Sequence, residues 1–164
     1  RVMQACLGKW DMLFPAAMRK PIRGDGNCQF RSLSWASYNT AEKHADVRAT
    51  VCDYMALNYA RYKPFIGDDA SYLANMRRDG TYGDRITLQA FCDAYNTNVA
   101  VLDDRNAVTL FSGERGVKSS HRVILYEGGV HYNAVDPSHS SPPSYMLNKI
   151  RPHLNIENSY RFDG

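Results

Sequence analysis

Apolar residues recur at helical spacing through the first hundred positions, then give way to short continuous runs. Residues 4–18 are apolar with aromatic content and read as a helix whose end is blurred by Pro15. Pro21 and Ile22 lead into the turn Arg23-Gly24-Asp25-Gly26-Asn27. Phe30, Leu33 and Trp35 then mark a short helix over residues 28–36, buried on most sides. Thr40 predicts the cap of a long helix to about Tyr62, ended by Pro64, with Val47, Val51, Tyr54, Met55 and Leu57 near helical spacing. Asp68 or Asp69 caps a further helix through Tyr72, Leu73 and Met76, and Gly80 suits its stop. Asp84 caps another, carrying Ile86, Leu88, Phe91, Cys92 and Tyr95.

Beyond Asn96 the pattern is that of strands. They are expected over residues 99–102, 107–111, 122–126 and 130–135, with Gly128 and Gly129 between the last two and Pro137 as a stop. Residues 138–144 form a Ser/Pro loop, and the last twenty are too weakly patterned to assign. Helices in the first half and strands in the second predict an α+β fold, the helices packed on a small, mostly antiparallel sheet. A chain of 164 residues is the size of one domain.

Composition changes this picture little. Apolar residues at 44% supply a core, and the net charge of +3 is weak and scattered. No basic stretch alternates with aromatics, so nucleic acid is not expected as a partner. No run approaches the ~20 apolar residues of a membrane span, and no apolar leader follows Arg1. The chain reads as a fragment of something longer. Cys6, Cys52 and Cys92 sit in helical stretches among apolar neighbours, the setting of a buried free thiol. With Cys28 they predict four free cysteines in a reducing, intracellular compartment. There is no CxxC pair, and the Cys–His spacings fit no zinc site, so neither metal nor cofactor is expected.

Cys28 differs from the other three. Gly24 and Gly26 allow a tight turn, and the apolar run that follows places the thiol at a helix N-terminus, which favours a thiolate. Amides of the turn, around Gly26 and Asn27, are placed to meet an oxyanion. By itself the turn also suits an ordinary helix start with a cysteine packed in the core. His131 opens a strand after Gly128-Gly129, and Asn133, two residues on, shares its face. Cysteine, histidine and asparagine make a nucleophile, its base and an orienter. His44, His139 and His153 read as surface residues, and His121 has no evident partner.

Asp25-Gly26-Asn27-Cys28-Gln29-Phe30-Arg31-Ser32-Leu33 and Val130-His131-Tyr132-Asn133 resemble the two signature blocks of the ovarian tumour (OTU) family of deubiquitinases. Gly80-Thr81-Tyr82-Gly83-Asp84 with Thr87-Leu88-Gln89-Ala90 is similar to its middle block, where Trp usually stands in place of Tyr82. The resemblance covers roughly residues 20–136. It implies a single papain-like protease domain, with residues 4–18 and 138–164 as extensions. The activity it implies is thiol-dependent cleavage of ubiquitin, polyubiquitin or ubiquitin-like conjugates by a monomer. Cys28 would be the nucleophile, His131 the general base, Asn133 the orienter and Asp25 a shaper of the oxyanion loop. The basic, glycine-rich tail of ubiquitin calls for a narrow groove with acidic or aromatic walls. Asp68, Asp69, Tyr82, Gly83, Asp84, Glu127 and Gly129 are the candidates to line it, though each also reads as an ordinary cap, turn or surface residue. Two other readings stay open: a catalytically weak ubiquitin-binding module, and a viral or bacterial polyprotein-processing protease.

Overall fold

Five α-helices precede most of the sheet in the computed structural model, which describes residues 19–104, 107–116, 121–135 and 155–159. They are α1 (Cys28–Tyr38), α2 (His44–Leu57), α3 (Tyr59–Ile66), α4 (Tyr72–Met76) and α5 (Arg85–Tyr95). The strands are β1 (Arg19–Lys20), β2 (Asn98–Asp103), β3 (Ala107–Ser112), β4 (His121–Glu127), β5 (His131–Val135) and β6 (Asn155–Ser159). The helix expected over residues 4–18, the Ser/Pro loop and Cys6 lie outside the described residues.

The strands form one sheet in the order β1-β5-β4-β2-β3-β6. Three pairings are antiparallel; β2 with β4 and β3 with β6 are parallel. The fold is therefore α+β, as the ordering of patterns implied. Its core joins Phe30 and Leu33 of α1, Val51 and Met55 of α2, and Leu88 and Phe91 of α5 to Val99, Val101 and Ile124 of the sheet. Edge strand β1 pairs with β5, so the chain leaving it runs alongside the strand that carries His131. No helix among the described residues is long and apolar enough to cross a membrane.

Two helical expectations need correction. The long helix from Thr40 is three pieces. Thr40 caps a 3-10 turn, Ala41–Lys43, by accepting from the Glu42 amide. Helix α2 then stops at Asn58, whose backbone and side-chain N–H groups both bond to the Tyr54 carbonyl at 3.0 Å. A side chain competing for a helix carbonyl favours a break. Pro64 lies inside α3, and Gly67, with φ of 73°, supplies the stop. The second correction is α4, which ends at Met76 rather than running on to Gly80. In a continued helix the Gly80 N–H would bond to the Met76 carbonyl. Instead Gly80 donates to Asn27 Oδ1 at 2.8 Å, and Met76 accepts from Arg48 at 2.9 Å. Asp69 does not cap α4 directly; it accepts from the amide and hydroxyl of Ser71.

Buried Asp93 of α5 ties the helices to the loop after β3. Its carboxylate accepts from Tyr62 Oη at 2.5 Å, Arg61 Nε at 2.9 Å, Gln89 Nε2 at 3.0 Å and the Glu114 amide at 2.7 Å. Asp93→Ala strands several of these donors away from water. A loss of about 3–5 kcal/mol is expected in urea unfolding; a loss below about 1 kcal/mol would show that the network carries no stability.

Candidate active site

The turn before α1 is held from three sides. Asp25 accepts from the Asn27 amide at 3.0 Å and forms a two-pronged ion pair with Arg31, one helical turn into α1, at 2.8 and 3.2 Å. The guanidinium beside Asp25 holds its carboxyl well below the usual carboxylate range, and the carboxylate raises Arg31 in turn. One consequence corrects the simplest picture of the oxyanion loop: the Asn27 backbone N–H is already committed to Asp25. The Cys28 amide, at the start of α1, is among the first N–H groups that a helix leaves without an internal acceptor.

The middle block clamps the turn from a second side. Gly26 has φ of 83°, and a Cβ there would sit 1.9 Å from the Gly80 carbonyl oxygen. Only glycine fits. Gln29 then reaches across α5: its Nε2 donates to the Asp84 carbonyl at 3.1 Å, and its Oε1 accepts from Thr87 Oγ1 at 2.7 Å. A Cβ on Gly83 would meet Gln29 Oε1 at 2.2 Å. Asp84 caps α5 as expected, and Thr87 completes the capping box. The Asp84 carboxylate also accepts from the Tyr72 hydroxyl at 2.8 Å. Gly83 and Asp84 are thus built into the support of the cysteine turn.

On the third side lies β5. His131 Nε2 is 3.1 Å from Asn133 Oδ1, the contact expected from their spacing. The same oxygen accepts from the Ile22 amide at 2.9 Å. A backbone N–H can only donate, so this atom is the amide oxygen, and His131 Nε2 must carry the proton. The Nδ1 lone pair is left for the other edge of the ring. That edge faces the turn: a Cβ on Gly24 would lie 3.9 Å from His131 Nδ1 and Cε1. Tyr132 points into the core, where burial pushes its phenol up to about 12.

The remaining candidates scatter. Tyr82 is 60% exposed beside the Gly80 turn. Glu127 pairs with His131 across the β4–β5 hairpin, and the Gly129 carbonyl accepts from the Tyr126 hydroxyl at 2.5 Å. Asp68 and Asp69 lie exposed on the loop between α3 and α4, where Asp68 is 3.8 Å from Lys63 and Asp69 holds Ser71. Next to Tyr132 an open groove of about 370 Å³ is lined by Gly83, Asp84, Arg85, Asp103, Phe111 and Tyr126, among others. Periodicity gave no sign of Asp103 or Tyr126 there, because the groove forms only when β2, β4 and α5 meet. Cys52 and Cys92 are buried free thiols, and burial pushes both upward, which disfavours the thiolate.

Asp25 generates a pH prediction. Its carboxyl is depressed in the fold, so its stabilising effect is full above the unfolded value near ~3.9 and is lost as pH falls through the folded value. The urea midpoint of wild type should exceed that of Asp25→Asn by a constant margin from about pH 5 to 8, and the margin should shrink below about pH 4. A margin independent of pH would show that the Asp25–Arg31 pair is not its source.

The family model for OTU-like cysteine proteases matches residues 23–132. The OVARIAN TUMOR DOMAIN-containing deubiquitinating enzyme 9 of Arabidopsis thaliana is 36% identical over 126 residues, covering 74% of this chain and 36% of that protein. OTU domain-containing protein 5-A of Xenopus laevis is 26% identical over 118 residues, covering 71% and 23%. The chain thus spans between 23% and 36% of these relatives' length. Among solved structures, the OTUD1 OTU domain aligns with TM-score 0.69 at 23% identity, over 82% of this chain and 96% of the other. An ovarian tumour domain in complex with ubiquitin aligns with TM-score 0.62 at 17% identity, over 87% and 89%. The matched span holds the cysteine turn, its middle-block clamp and His131, and the chain belongs to the family of OTU-like cysteine proteases.

Proposed function

We propose that this domain is a thiol-dependent deubiquitinase that hydrolyses the isopeptide bond after the C-terminal glycine of ubiquitin or a ubiquitin-like modifier. Cys28 Sγ attacks the glycine carbonyl while His131 Nδ1 takes the thiol proton. The carbonyl oxygen becomes an oxyanion beside the Gly26–Asn27 turn, which Asp25 holds in shape. Collapse of the tetrahedral intermediate expels the lysine amine, which takes its proton from His131. Water, deprotonated by the same ring, then cleaves the thioester, freeing Cys28 and the ubiquitin carboxylate. Asn133 orients the ring throughout, because its oxygen accepts from Nε2 in both protonation states.

The observation that carries this reading is the double use of Asn133 Oδ1 by Ile22 and His131, which leaves Nδ1 as the ring's proton acceptor on the side of the cysteine turn. The substrate class comes from the relatives named as deubiquitinating enzymes. Tyr82, Glu127 and Gly129 are the residues we propose to meet the ubiquitin tail, with the groove at Asp103 and Tyr126 as its path. Asp68 and Asp69 belong to the α3–α4 loop, and any part they play is in binding the body of ubiquitin. Gly83 and Asp84 support the turn and also line one side of that groove.

Ubiquitin carrying a C-terminal electrophile should form a covalent adduct with wild type and none with Cys28→Ala. His131→Ala should lower kcat on a ubiquitin–fluorophore amide by roughly 10²–10⁴-fold, and Asn133→Ala by less. An adduct on Cys28→Ala would sink the assignment. Binding of ubiquitin without adduct or turnover would favour a non-catalytic binding module. Tyr82→Ala is expected to raise KM several-fold with kcat within about twofold, as loss of uniform binding does; an unchanged KM would remove Tyr82 from the substrate surface.

A further inference from the structure

The hairpin between β4 and β5 leads directly into His131, and its tip has little stiffness of its own. Strand pairing stops at Glu127 and His131. Between them Gly128 and Gly129 both take left-handed backbones, with φ of 59° and 69°. The Val130 amide closes the turn on the Glu127 carbonyl at 3.1 Å. Adjacent glycines leave such a turn many other conformations. Crowding does not call for glycine here. A Cβ on Gly128 would have its nearest contact in Val130 at 4.0 Å, and one on Gly129 would meet nothing within 4 Å. Asparagine before glycine suits the same backbone and makes a stiffer turn.

Two side chains hold the tip from outside. The Asp104 carboxylate accepts from the Gly128 amide at 2.8 Å, and the Tyr126 hydroxyl donates to the Gly129 carbonyl at 2.5 Å. Asp104 is set by β4 in turn, because its amide donates to the Tyr126 carbonyl at 3.2 Å. Burial raises the Tyr126 phenol and nearby Cys28 raises it further, so the hydroxyl stays a donor through the neutral range. The Tyr126 ring lies 4.5 Å from that of Tyr132, and both line the groove beside Asp103. Tyr132 is buried, which gives the Tyr126 hydroxyl a rigid base to act from. One side chain thus walls the groove and pins the turn that leads into His131.

We propose that Tyr126 is a positioning residue whose hydroxyl, by holding the Gly129 carbonyl, fixes the backbone from which His131 reaches toward Cys28. The proposal rests on the thiol-hydrolase reading of Cys28 and gives Tyr126 a part in placing the base, beyond that of a groove wall. Asn133 sets how the ring is turned; Tyr126 sets where it stands. Phenylalanine at position 126 keeps the ring and its packing on Tyr132 and removes only the hydroxyl. Loss of a groove wall is felt by the substrate tail alone. Loss of the hydroxyl is felt by any electrophile that needs His131 to take the thiol proton.

The test compares wild type, Tyr126→Phe, His131→Ala and the double variant. Turnover is read on a ubiquitin–fluorophore amide. Alkylation of Cys28 by iodoacetamide, read by mass on the Cys28 peptide, reports thiol activation by a reagent too small to need the groove. Urea unfolding checks that each variant is folded. Tyr126→Phe should lower kcat by roughly three- to tenfold, the worth of one hydrogen bond, with KM within about twofold. Its alkylation rate should fall by about the same factor, and the substitution should change that rate by less than about twofold in the His131→Ala background. Adding Gly128→Asn to Tyr126→Phe stiffens the turn by another route and should restore alkylation to within about twofold of wild type. A raised KM with unchanged alkylation makes Tyr126 a groove wall only and overturns the proposal. So does an equal loss of alkylation with and without His131, or no recovery in Gly128→Asn. Those outcomes leave the thiol-hydrolase reading in place. A wild type that neither turns over nor forms an adduct with the ubiquitin electrophile defeats that reading itself, and this proposal with it.

Discussion

The turn that presents Cys28 cannot hold its own shape, and the rest of the site follows from how it is held. Gly26 must take a left-handed backbone and lie against the Gly80 carbonyl, at a distance no side chain permits. A turn with that freedom has many other conformations open to it. What restricts it is a set of polar contacts from outside: Arg31 on Asp25, Gly80 and Arg48 on Asn27, and Asp84 and Thr87 on Gln29. Most of the partners are wholly or largely buried, where an unpaired polar group is costly and a satisfied one specifies a single arrangement. The middle block therefore does structural work at the site, and its spacing reflects the need to bring one carbonyl and one amide to the back of the cysteine turn.

That need also explains where the helices depart from their intrinsic pattern. The apolar positions Tyr72, Leu73 and Met76 suit a helix, and a helix starts there, yet it ends a turn early because the turn before Cys28 claims the groups that would have continued it. Local propensity yields to a long-range polar contact worth more in that place. The break at Asn58 has a different, local cause, since the asparagine side chain takes a carbonyl of its own helix.

What the sequence disclosed and what it hid divide along the same line. The Asp84 cap, the strand runs and the pairing of His131 with Asn133 depend on residues two to four positions apart, and periodicity or capping chemistry reveals them. The roles of Arg48, Arg31 and Gln29 do not have that form. Arg48 reads as one polar residue of an amphipathic helix, and nothing near it in the chain distinguishes it from a solvated arginine. Its partners are 21 and 28 residues away. Gln29 and Thr87 are 58 apart, and Ile22 and Asn133 are 111 apart. Family blocks gave the positions of the turn and the middle motif but not the bonds between them. The short strand β6 was illegible for a related reason: it has no alternation of its own and is defined by its pairing with β3.

The two halves of the site use the same device. Asn27 and Asn133 each present one amide oxygen to two donors from different segments, and in each case a backbone N–H is one of the pair. A single hydrogen bond leaves an asparagine free to flip or swing; two donors on one oxygen fix which branch is oxygen and where the plane lies. At Asn133 the second donor is the histidine ring, so the ring inherits the fixed direction and its Nδ1 is set toward Gly24. At Asn27 the second donor is the Arg48 cation, so the amide inherits both a direction and a polarising charge. On the thiol-hydrolase reading, position 133 brings no carboxylate to the ring. A neutral orienter cannot stabilise the imidazolium by charge, which leaves more of the transition-state stabilisation to donors around the developing oxyanion.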